Sequence, residues 1–209
     1  MRHQIVILAY NEENSIAELL CRLPAQECLV VVDGDDTTAE IAEKYGCDVF
    51  ASTYKRGYGQ ALIDGLMASY ATTHDYATVM DIGTCRPKDL SLNTNADILV
   101  RNRVSRMLNK RVLLSKVAAL GLSLAIHSRV REATFGYRTY KLDVVIPLLS
   151  KLTTNGHATN MELLGLAIKA GLNIEYQPVP YIIDGKTQLR ANDLSEALRT
   201  LWTLAITRQ

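Results

Sequence analysis

Apolar runs of strand length alternate with longer stretches of helical period along the first half of the chain. Ile5–Leu8, Cys28–Asp33, Asp48–Ala51 and Tyr76–Asp81 read as strands, with helices over Asn11–Leu23, Thr37–Tyr45 and Gly57–Ala71 between them. The first helix places Ile16, Leu19, Leu20 and Leu23 on one face and is stopped by Pro24, because proline lacks the N–H that a further turn needs. Strands that are apolar at successive positions are covered on both faces. The alternation therefore predicts an α/β fold, a mostly parallel central sheet flanked by helices.

The second half is patterned more loosely. Ala96–Val100 and Thr134–Tyr140 read as strands, and Leu142–Leu152 and Asn160–Lys169 as helices, the latter closed by Gly171. Val104–Ile126 reads as one long helix, basic at first and apolar later. Ile174–Ile183 is extended and broken by Pro178 and Pro180, and Leu194–Thr207 is an amphipathic helix carrying Leu194, Leu198, Leu201, Trp202 and Ala205. Such helices pack on a core or lie on a membrane surface.

Composition narrows the class. The 209 residues, 48% hydrophobic and 22% charged, suffice for one sizeable core, so residues 1–209 read as a single domain. A net charge of +1 removes the electrostatic case for a dedicated nucleic-acid binder. Cys21, Cys28, Cys47 and Cys85 show no metal-binding spacing, and reduced thiols suit a cytoplasmic protein. Neither Ile5–Ala9 nor Val117–Ile126 is long enough for an export signal or a membrane span. The protein is expected to be cytoplasmic, at most peripheral to a membrane.

Ligands of open α/β sheets bind beyond the carboxyl ends of the strands. Three such ends carry acids here: Ala9-Tyr10-Asn11-Glu12-Glu13, Asp33-Gly34-Asp35-Asp36-Thr37-Thr38 and Asp81-Ile82-Gly83-Thr84. Asn11 and Asp36 also suit simple helix caps, but three acidic ends on one edge point to a site.

Ile7-Leu8-Ala9-Tyr10-Asn11-Glu12-Glu13, Val31-Val32-Asp33-Gly34-Asp35-Asp36 and Lys55-Arg56-Gly57-Tyr58-Gly59-Gln60-Ala61 resemble successive motifs of the family 2 glycosyltransferases of the Rossmann-like GT-A fold. Glu132-Ala133-Thr134-Phe135-Gly136-Tyr137-Arg138-Thr139-Tyr140, Met161-Glu162-Leu163-Leu164 and Tyr176-Gln177-Pro178-Val179-Pro180-Tyr181 are similar to the dolichol-phosphate mannosyltransferase and polyprenyl-phosphate glycosyltransferase branch. The resemblance implies a donor half (1–95) that binds a nucleotide sugar of GDP-mannose or UDP-glucose type, and an acceptor half (96–209). In the first half it implies a nucleoside wall of Ala9, Tyr10 and Glu12, an acidic turn with Asp33 on base or ribose and Asp35 beside it, and Lys55 and Arg56 facing the nucleotide. Asp81 would act in catalysis and hold Mg2+ or Mn2+. In the second half, Arg131 and Arg138 would hold a polyprenyl phosphate, helped by the cluster Arg101, Arg103, Arg106, Lys110 and Arg111. Glu162 would position sugar or acceptor, and Lys186 would lie in a loop closing over the donor.

The sequence departs from the family where its Asp-x-Asp stands. Here it reads Asp81-Ile82-Gly83, and a hard cation wants several oxygen ligands. Three expectations follow from the missing acid: a metal held by Asp81 and an acid from elsewhere, a cation such as Arg86 neutralising the leaving diphosphate, or a binding protein that no longer turns its donor over. Were the acceptor a hydroxyl of a glycan or modified base, a general base would be needed, from Asp81, Glu162 or His157.

Overall fold

A computed structural model describes residues 1–52, 54–84, 94–104, 110–180 and 191–206. Its strands are β1 (His3–Ala9), β2 (Cys28–Val32), β3 (Asp48–Ala51), β4 (Tyr76–Asp81), β5 (Ile98–Val104), β6 (Arg138–Lys141) and β7 (Ile174–Pro180). Its helices are α1 (Ile16–Leu20), α2 (Thr38–Lys44), α3 (Tyr58–Ala71), α4 (Lys110–Ala125), α5 (Leu142–Leu149), α6 (Thr159–Lys169) and α7 (Ala191–Ile206). The strands form one seven-stranded sheet in the order β3-β2-β1-β4-β6-β5-β7. All neighbours are parallel except at β6, which runs against both β4 and β5. This is the expected α/β architecture, and the two halves read from the sequence share its one sheet.

The unbroken apolar runs serve two faces at once. In β1, Val6 and Leu8 enter the core beneath α3, α5 and α6, while Ile5, Ile7 and Ala9 enter the core beneath α1 and α2. In β2, Leu29 and Val31 alternate with Cys28, Val30 and Val32 in the same way, as the two-residue period of a strand dictates. Gly65 lets α3 settle on the sheet, since a methyl there would stand 2.5 Å from Val6 Cγ1. A polar chain crosses the sheet's middle: His3 Nε2 lies 2.9 Å from Thr78 Oγ1, which lies 2.6 Å from Thr139 Oγ1, and Arg101 Nη1 donates to that second hydroxyl.

Three predicted elements have different bounds. The first helix shrinks to Ile16–Leu20 because Asn11 adopts φ +54° and the next residues turn toward the start of α2, where the Glu12 N–H reaches Thr38 Oγ1. The long helix from Val104 begins instead at Lys110, since Arg101–Val104 continue β5 opposite Gln177–Pro180 of β7. Strand β6 starts only at Arg138, because the preceding loop folds around the Glu132 carboxylate, which accepts the N–H groups of Thr134 and Phe135.

Candidate active site

The connections from β1 run to β2 and β3 on one side, while β4 lies on the other, with Leu8 paired to Asp81. Ligands of open α/β sheets bind at this kind of reversal. Ala9 and Tyr10 border it on the β1 side and Asp81 on the β4 side. The antiparallel β6 then matters, because its first residues lie beside the carboxyl end of β4, Val79 opposite Arg138. That orientation delivers the loop before β6 to Asp81. At Gly136 a methyl would collide with the Tyr58 hydroxyl and come within 3.2 Å of Asp81 Oδ2. The Tyr58 oxygen accepts a hydrogen bond from Asn160 Nδ2 at 2.9 Å, and its ring lies 4.6 Å from that of His157. Burial, then the Asp81 charge, push the Tyr58 hydroxyl well above its usual range, so it keeps its proton. Half-exposed Asp81 is thus flanked by groups from α3, the loop before β6 and α6.

On the donor side, Lys55 Nζ stands 3.8 Å above the centre of the exposed Tyr10 ring, a cation–π contact at the mouth of the first strand end. Asp35 is exposed, and its N–H donates to Asn11 Oδ1 at 3.2 Å. The Glu12 carboxylate accepts the Ser15 hydroxyl. Asp33 is buried and fastens the loop after β3: its two oxygens accept the N–H groups of Arg56 at 2.7 Å and Gly57 at 2.8 Å. The Arg56 guanidinium, which the sequence suggested for the nucleotide, meets Asp64 at 2.5 Å.

The Gly-rich start of α3 is likewise occupied by protein. Asn155 accepts the Gly59 N–H through its carbonyl at 2.9 Å and the Gln60 N–H through Oδ1 at 2.8 Å. Gly57 has φ +98°, and a methyl there would lie 2.9 Å from the Asn155 carbonyl oxygen. These donors are the ones a helix start offers to a phosphate, so this turn is a junction between the halves.

Several predicted acceptor-side residues are fasteners too. Arg138 is completely buried, and its guanidinium donates to the carbonyls of Phe135, Ala133 and Asn160. It holds the loop that carries Gly136 and has no surface with which to meet an acceptor phosphate. Arg101 is buried 4.6 Å from the Tyr137 ring. Arg103 meets both oxygens of Glu132 at 3.0 Å, with Ser115 and Thr134 completing the cluster. Glu162 is also buried, and its carboxylate accepts the N–H and hydroxyl of both Thr153 and Thr154. A carboxylate so engaged orders the loop carrying Asn155. Arg131 is exposed, 5.6 Å from the Tyr176 ring. Lys186, Arg86 and Arg106, with the side chains of Lys110 and Arg111, lie outside the described residues.

The described residues do not build a cation site. Among the described residues, Asp81 supplies one carboxylate, none lies within 4 Å of where a Gly83 Cβ would stand, and no three His, Cys, Asp or Glu side chains converge. Tyr58, Asn155 and Asn160 were missed as functional positions. Tyr58 lies inside the Lys55–Ala61 motif and Asn160 stands two residues before Glu162, but contacts across 102 and 95 positions leave no local trace.

With this geometry, residues 4–82 match the model of the family described as glycosyl transferase family 2. The match lies within the donor half of the chain. Its sequence is 25% identical to an uncharacterised protein of Methanocaldococcus jannaschii, over 96% of this chain and 89% of that one. It is 24% identical to the polyprenol monophosphomannose synthase of Mycolicibacterium smegmatis, over 94% of this chain and 84% of the relative. In fold the chain superposes on the glucosyl-3-phosphoglycerate synthase of Mycobacterium tuberculosis bound to uridine diphosphate, with TM-score 0.74 and 16% identity, over 100% of this chain and 81% of that one. A further structure of that synthase holds Mn2+, uridine diphosphate and phosphoglyceric acid, at TM-score 0.73, 16% identity, and coverage of 100% and 80%. The fold is GT-A, and the sheet edge at the β1–β4 reversal is the place to which a function is assigned below.

Proposed function

We propose that the protein is a glycosyltransferase that moves a sugar, with inversion, from a nucleoside diphosphate sugar bound at the β1–β4 reversal to a polyprenyl phosphate. The observation that carries the reading is Asp81, half-exposed at the topological reversal and flanked by Gly136, Tyr58 and Asn160. Tyr10, Lys55, Glu12 and Asp35 border the donor's side, with Lys55 the cation nearest the nucleotide. The likeness to a polyprenol monophosphomannose synthase along 94% of the chain supports the lipid acceptor.

An acceptor phosphate oxygen attacks the anomeric carbon, forming the new C–O bond as the bond to the donor diphosphate breaks and the nucleoside diphosphate leaves with its electron pair. The acceptor is already an anion, so the step needs orientation and charge balance more than a base. Exposed Arg131 is the described predicted cation available to hold it. Tyr58, kept protonated, and Asn160 fix the wall beside Asp81. Asp81 is the residue that would contact Mg2+ or Mn2+, as Mn2+ accompanies uridine diphosphate in the structural relative; the described residues do not fit a protein-built cation site, and no step here runs through one.

The test is release of nucleoside diphosphate from GDP-mannose and UDP-glucose, with a short-chain polyprenyl phosphate, with and without Mn2+. Turnover that requires the lipid phosphate supports the reading, and Asp81→Asn is expected to lower it about a hundredfold. Turnover only with a hydroxyl acceptor would move the assignment there, with His157 and Asp81 as the candidate bases. No release from any donor would overturn it.

A further inference from the structure

Two helices of the acceptor side carry an apolar surface that the fold leaves uncovered. Helices α4 and α7 pack against each other where Gly121 lets Leu201 approach, a methyl at that glycine lying 2.9 Å from Leu201 Cδ1. Their inner sides are core, with Leu122 and Leu204 buried. Their outer sides are not polar. On α4, Leu113, Val117, Leu120 and Leu124 recur at helical spacing, and on α7 Leu194, Leu198, Trp202 and Ile206 recur every four residues. These eight side chains are 54% to 69% exposed. With Leu114, they make nine of the seventeen exposed large hydrophobics found among the described residues. A contiguous patch of this kind marks an interaction surface.

Along α4 and the loop after it the charge has one sign, whereas α7 also carries Asp193 and Glu196. From Lys110 to Arg131 the chain carries Lys110, Arg111, Lys116, Arg129 and Arg131 and no acid. A groove of about 540 Å3 runs along α4, with Leu120 and Leu124 as its apolar lining and Lys116, His127, Arg129 and Arg131 as its polar lining. On α7 the half-buried Glu196 turns inward to accept the N–H groups of Asn155 and Gly156, while Arg199 is exposed.

We propose that the α4–α7 face docks on an anionic lipid bilayer, its leucines and Trp202 entering the headgroup boundary and its cations meeting lipid phosphates. Amphipathic helices with a basic fringe and large apolar side chains bind membranes in this way, and tryptophan favours that depth. A second copy set with α4 against α4 would bring two acid-free, basic segments together, whereas anionic headgroups complement them. No helix among the described residues is long and apolar enough to cross a membrane. The inference builds on the lipid-acceptor reading and supplies the place where a membrane-held acceptor would meet the protein.

Flotation with phosphatidylcholine vesicles, with and without phosphatidylglycerol, tests it. The protein is expected to float with anionic vesicles, less so as salt rises. Lys116→Gln should weaken binding about fivefold, and Leu198→Glu with Trp202→Glu should abolish it while far-UV circular dichroism stays unchanged. Absence of flotation by the folded wild type would overturn the proposal. So would a wild-type dimer that the Trp202→Glu variant turns into a monomer. Turnover with a water-soluble short-chain polyprenyl phosphate separates the two readings. Transfer without vesicle binding sinks the docking surface alone, and vesicle binding without transfer to any polyprenyl phosphate sinks the acceptor assignment alone.

Discussion

At Gly136 the room beside Asp81 is set by the absence of one methyl group. A side chain there collides with the Tyr58 hydroxyl and presses on Asp81 Oδ2, so Gly136→Ala is expected to cut turnover at least tenfold through misplacement of the site. The melting temperature should move little by comparison, and steady-state rates beside thermal melts check both. The same residue types serve opposite ends nearby. Arg103 and Glu132 are each about 4% exposed and joined by two hydrogen bonds. Removing one partner leaves a buried charge unpaired, so Glu132→Gln should cost about 3–5 kcal/mol in denaturant unfolding, whereas Arg103→Met with Glu132→Met should recover much of it. Nothing in the local sequence separates Arg103, which is consumed in this pair, from Arg131, which is exposed.

Among the elements, α3 and the loop before α6 form the joint on which the site rests. Asn155 receives two N–H groups from the first turn of α3, and Glu196 of α7 holds Asn155 in turn. Asn155→Ala is expected to cost about 1–2 kcal/mol and to speed hydrogen exchange at Gly59 and Gln60 more than in the middle of α3. Equal exchange throughout the helix would contradict this cap. The strands and most helices were legible because their burial follows a period of two or 3.6 residues. Their ends were less so. Strand β5 continues through Arg101 and Arg103 because β7 pairs with it, and a local pattern that turns polar gives no sign of a partner some seventy positions away.

For the molecule as a whole, the buried Glu132 and the partly buried His3 each contribute to the response to acid. Burial alone would raise the Glu132 carboxyl, but the hydrogen bonds and charge of Arg103, aided by Ser115 and the Thr134 N–H, lower it from 4.5 to about 2. Its stabilisation is complete above pH 4.5 and is lost as pH falls toward 2. His3 is lowered from 6.5 to about 4, by burial first and then by the charges of Arg101 and His74. The unfolded chain takes up that proton before the folded one does, so stability falls as pH drops from 6.5 to 4. Melting temperatures measured from pH 7 to 4.5 should therefore decline, and His3→Gln should flatten the decline; an unchanged slope would contradict it. The sequence by itself determined the alternating strands and helices, the two-faced sheet and the row of acidic strand ends, because each is written in short-range periodicity and composition. Tertiary structure alone decided which charged residues stay available to a ligand. Asp33, Arg56, Arg138 and Glu162 are spent on backbone groups and ion pairs that chain folding brings to them, while Asp81, Lys55 and Arg131 keep exposed surface. The reason is physical: a side chain's chemistry is set by its desolvation and its partners, and both come from distant parts of the chain.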